Sequence, residues 1–89
     1  MTKDLDAELA RRRKDLDAID DRLVDLLAER AAAVKGIWEL KRRHRVEQLD
    51  PAREAAVLAR LTERAKARGL DPAAVAEVLE AVVGKKLDA

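Results

Sequence analysis

Residues 5–41, LDAELARRRKDLDAIDDRLVDLLAERAAAVKGIWELK, contain no proline and a single glycine, Gly36. Apolar side chains recur at Leu9, Leu16, Ile19, Leu23, Leu26, Leu27, Val34 and Ile37 with the spacing of one helical face. The stretch therefore reads as one long helix. At 1.5 Å per residue it would extend roughly 50 Å, about twice the width of a compact domain of this size. Two short helices cannot cover such a stripe within one chain. The expectation is an interlocked homodimer, in which the long helix pairs with its twin.

Downstream, residues 42–50 lose the period and mix basic side chains with Val46 and Leu49. Asp50-Pro51 then supplies an N-cap followed by proline at the first helical position. A second helix is expected over residues 51–68, packing on Leu58, Leu61 and Ala65 and stopped by Gly69. Asp71-Pro72 repeats the start signal, and Val75, Val78, Leu79, Val82 and Val83 give a third helix its apolar face, with Gly84 weakening its end. The fold class is all-α, one domain over residues 1–89, with one long helix and two shorter ones.

Composition excludes several function classes. The 89 residues include no Cys and a single His, His44, so neither a disulfide framework nor a Cys or His zinc centre is available. No metal or cofactor is expected. Nineteen Lys and Arg are balanced by 18 Asp and Glu, and Trp38 is the only aromatic residue, so neither bulk charge nor stacking platforms point to nucleic acid. No apolar run approaches the roughly 20 residues of a membrane span, and no signal-peptide pattern opens the chain. A cytoplasmic location, with no membrane partner, is expected.

Most charged residues on these helices are solvated surface. The informative ones align with the apolar stripe. Arg30 falls on the heptad line of Leu9, Leu16, Leu23 and Ile37, and Lys41, 11 residues on, shares its face. Two cations facing one interior call for an anion. Glu54 lies on the line of Leu58, Leu61 and Ala65, with Arg53 adjacent and Asp50 one turn earlier. Its plainer reading is stabilisation of the positive end of its helix. Lys86 extends the third apolar face by a turn, which makes it a substrate-binding candidate pointing into the pocket; a snorkelling lysine is its plainer reading. His44 reads as a solvated linker residue, and Trp38 as packing or a dimer contact.

Arg13, the segment 26–30 (Leu-Leu-Ala-Glu-Arg), Lys41 and the string 50–54 (Asp-Pro-Ala-Arg-Glu) stand in the order and at the distances found in the helical, AroQ-type chorismate mutases. The resemblance covers residues 9–87. It implies an intertwined dimer with two equivalent sites that convert chorismate to prephenate. By that resemblance Arg13 is donated to the partner's site and Arg30 binds a substrate carboxylate in its own. Lys41 reaches the ether oxygen and a carboxylate, Asp50 acts through its backbone, Glu54 meets the ring hydroxyl, and Arg53 joins the same polar wall. The chemistry suits this residue set: a unimolecular rearrangement needs no nucleophile or proton shuttle. It needs a dianion held in its compact conformer and a donor where charge grows on the ether oxygen.

The sequence departs from the family pattern where Lys86 stands in place of a small hydroxyl residue, and Ala89 ends it before the Gln or Glu expected one turn later. A slow mutase with a frayed last turn is the expectation, unless an activating partner enzyme orders that end or Lys86 swings in as a substitute donor. Isochorismate pyruvate lyase, a mutase of amino-substituted chorismate, and a non-catalytic helical dimer or regulatory module are the alternative readings.

Overall fold

The computed structural model describes residues 2–85 and 87. Three helices follow one another: α1 (Thr2–Arg43), α2 (Pro51–Ala67) and α3 (Pro72–Glu80), with no strand among the described residues. The 42 residues of α1 account for about 63 Å at the standard rise, nearly the whole 65 Å length of the molecule. The radius of gyration is 18.1 Å, where a compact chain of this length would have about 12 Å. α1 is therefore a mast rather than one wall of a globule. α2 and α3 pack on each other, and α1 makes no comparably close backbone approach to either among the described residues.

The local signals act as the sequence indicates. Asp50 Oδ1 accepts the N–H of Arg53 at 3.1 Å, and Asp71 Oδ1 that of Ala73 at 3.2 Å, so both aspartates cap a helix that begins with proline. α2 ends in a Schellman turn: Gly69, at φ +79°, donates to Lys66 O at 3.1 Å and Leu70 donates to Ala65 O at 2.9 Å. α1 ends the same way without a glycine. Arg45, at φ 56°, donates to Arg42 O at 3.2 Å, and Val46 donates to Lys41 O at 2.9 Å. A side chain thus occupies the left-handed position that glycine usually fills.

The third helix is shorter than its apolar face suggests. After Glu80 the chain tightens into a turn in which Val82 and Val83 both donate to Leu79 O, at 3.0 and 2.7 Å, and Gly84, at φ +74°, reverses the winding. Val82 and Val83 therefore leave the helix, and Gly84, expected to weaken its end, lies beyond it. Val83 is nonetheless buried, together with Val57 and Ala65. Val57 belongs to the core in place of the expected Leu58 and Leu61, which are half-buried. α1 contributes no buried residue: Leu16, Ile19 and Leu23 are 55%, 54% and 56% exposed, so the N-terminal half of its stripe is uncovered in the single chain, whereas Leu27 and Val34 are half-buried. No helix among the described residues is long and apolar enough to cross a membrane.

Candidate functional site

The face of α1 that carries Arg30, Val34, Ile37, Trp38 and Lys41 repeats at i, i+4, i+7, i+8 and i+11 and therefore forms one continuous strip. Opposite it stand Asp50, Arg53, Glu54 and Val57, from the cap and first two turns of α2. Val83 and Gly84, from the turn after α3, close one side, and Gln48 in the linker closes another. Together these residues line a cavity of about 160 Å³. Arg30, Lys41 and Glu54 are half-buried in its wall, whereas Asp50 and Arg53 are exposed. Five of the seven residues singled out from sequence thus meet in one place. Their distribution is uneven in sign: Arg30, Lys41 and Arg53 share the lining with Glu54, while the carboxylate of Asp50 is committed to capping.

Three details refine the expectations. Lys41 Nζ donates to the backbone carbonyl of Gln48 at 3.2 Å, tying the end of α1 to the far side of the linker. Asp50 O accepts from Glu54 N at 3.0 Å, which seats Glu54 in the first turn of α2. Gly84 lies directly against the Glu54 carboxylate: a Cβ on that glycine would fall 2.7 Å from Glu54 Oε1.

One sequence-singled residue, Arg13, is not brought together with these five. Arg13 is exposed on α1, 17 residues before Arg30 and hence about 25 Å away along the helix axis. Within one chain it cannot reach the cavity. Lys86 lies outside the described residues. Conversely, Trp38, Gln48 and Gly84 line the cavity without having been singled out for it. Trp38 sits one position from the inward heptad line, so its place on the strip was legible in the spacing. Gln48 lies in an aperiodic linker that carries no such signal.

A second cavity, of about 260 Å³, adjoins the first through Arg30, Val34, Trp38 and Gln48. Lys35, Arg42 and Lys85 also line it, and no carboxylate among the described residues does. The charged residues described around this second cavity are all cations, a setting that draws in small anions.

The sequence profile described as chorismate mutase type II matches residues 12–86, a span that contains both Arg13 and the entire cavity. The T-protein of Enterobacter agglomerans is 38% identical over 77 residues, which cover 86% of this chain and 21% of that protein. This chain therefore spans about a fifth of the length of that relative. No solved structure is significantly similar to it. The matched span, with its cationic strip on a long helix and the Asp-Pro-Ala-Arg-Glu start of the next, places the chain in the chorismate mutase type II family.

Proposed function

We propose that the cavity between α1 and the start of α2 binds chorismate and rearranges it to prephenate. The observation that carries this reading is the convergence of Arg30, Lys41 and Arg53 with Glu54 around one small pocket. In the rearrangement the ether C–O bond breaks as a C–C bond forms, so no proton or nucleophile enters the balance. Arginine side chains engage a substrate carboxylate through a rigid fork of donors, which favours the compact conformer in which the two termini meet. The Lys41 ammonium meets the ether oxygen as negative charge grows there, which requires it to leave or share its bond to the Gln48 carbonyl. Glu54 accepts from the ring hydroxyl.

The second half of the proposal is the homodimer. The uncovered stripe of α1 supports it, because fully burying a Leu or Ile side chain contributes about 1.5–3 kcal/mol. Arg13 supports it too: it lies too far along α1 to serve its own cavity, and an antiparallel partner would carry it to the neighbouring one. Trp38, the sole aromatic residue, is a built-in reporter of occupancy. An unreactive cyclic dicarboxylate should quench or shift its fluorescence in saturable fashion, and Arg30→Ala should weaken that binding. A signal that ignores the ligand at millimolar concentration would count against a dicarboxylate site here.

A further inference from the structure

Gly84 lies outside the segments singled out by charge, yet it lies directly against the Glu54 carboxylate. Its φ of +74° falls in the left-handed region. An ideal Cβ built on it would lie 2.7 Å from Glu54 Cδ, 2.7 Å from Oε1 and 2.8 Å from Oε2. All three terminal atoms are nearly equidistant from that point, so the carboxylate lies broadside across the glycine. Ordinary contacts between carbon atoms sit at about 3.5–4.0 Å, so any side chain at position 84 would drive the carboxylate back by about 1 Å. Gly69 offers an internal comparison. It has nearly the same backbone, φ +79°, but nothing within 4 Å of its Cβ position.

We infer that Gly84 is a positioning residue for the proposed reaction, its missing side chain setting the depth at which the Glu54 carboxylate stands in the cavity. The inference rests on the reading of Glu54 as a substrate contact. Its physical content is that two demands coincide at one residue. The turn after α3 needs a left-handed residue, and Glu54 needs the space where a Cβ would be. Gly69 meets only the first demand. A displacement of about 1 Å in a group that orients substrate can cost on the order of a hundredfold in rate, so a methyl-sized intrusion at Gly84 is enough to matter.

The test is a double-mutant cycle on chorismate turnover. Asn tolerates positive φ better than Ala, so Gly84→Asn keeps backbone strain small while still adding the Cβ. Gly84→Asn should lower kcat/KM by roughly tenfold or more in the presence of Glu54, and should have little further effect in a Glu54→Ala background. Gly69→Asn should leave kcat/KM unchanged. If Gly84→Asn impairs folding through the same clash, adding Glu54→Ala should restore helicity. An equal loss from Gly84→Asn in both backgrounds, or unfolding in both, would overturn the inference by making the residue merely structural. An unimpaired Gly84→Asn beside an impaired Glu54→Ala would overturn it alone. Full activity of Glu54→Ala would instead remove the role of Glu54, and the inference with it.

Discussion

Lys41 and Gln48 face each other across the linker between α1 and α2, with the lysine ammonium 3.2 Å from the glutamine's main-chain carbonyl. The same lysine's carbonyl accepts the N–H of Val46 at 2.9 Å, so one residue fastens the linker through both its backbone and its side chain. This arrangement holds the ammonium at the cavity wall, opposite the start of α2. Lys41→Met should keep the backbone bond and lose the charge. We expect kcat to fall by about 10²–10³-fold, as when one transition-state donor is removed, with helicity by circular dichroism unchanged.

Association should depend on the face of α1 that the single chain leaves uncovered. Light scattering should give about twice the 9.9 kDa of one chain in dilute solution. In a monomer, exchanging a half-exposed leucine for a charge would fall within about 0.5 kcal/mol of neutral. Leu16→Glu should instead dissociate the dimer and lower the thermal midpoint. A monomeric mass for the parent chain with full helicity would contradict the dimer.

Arg13 and Arg30 should complement each other between subunits. Arg13→Ala and Arg30→Ala should each remove most activity with little loss of fold. Mixing them and allowing exchange should restore part of it, because one of the two sites in a hybrid dimer would keep both arginines. No recovery after demonstrated exchange would mean that Arg13 does not cross.

The two capping aspartates should separate stability from function. Asp50→Ala and Asp71→Ala should each cost about 0.5–2 kcal/mol in denaturant unfolding. Only Asp50→Ala should also depress kcat/KM, because its cap seats Arg53 and Glu54 at the cavity while that of Asp71 starts a helix whose first turn does not line it.

Arg45 stores backbone strain at the end of α1, at φ 56°. Arg45→Gly should relieve it and, after the entropy lost by glycine, stabilise the protein by about 0.5–1 kcal/mol. Thermal unfolding at a fixed protein concentration should move up by a few degrees, with activity unaltered.

The helices and the polar strip were legible because period and capping are local properties. Residues 5–41 show the 3.6-residue repeat without interruption, and Asp50-Pro51 and Asp71-Pro72 mark the next two starts within a residue. Arg30 and Lys41 were readable as a pair because helix geometry alone puts residues 11 apart on one face. The end of α3 was not readable. The apolar spacing of Val82 and Val83 continues a helical face, and the pattern carries no sign that Gly84 turns the chain out of it to pack on Glu54. That contact joins residues 30 positions apart and depends on how α2 and α3 meet. The uncharged wall of the site was legible only in part: the spacing put Trp38 on the strip without announcing binding, and Gln48 lies in a linker with no period to read.

The most direct measurement is the loss of chorismate absorbance on adding purified protein, with the product identified by NMR. The proposed function predicts prephenate, formed in proportion to protein concentration and nearly abolished by Arg30→Ala. No turnover at high protein concentration, a product other than prephenate, or equal rates for the parent and Arg30→Ala would contradict it.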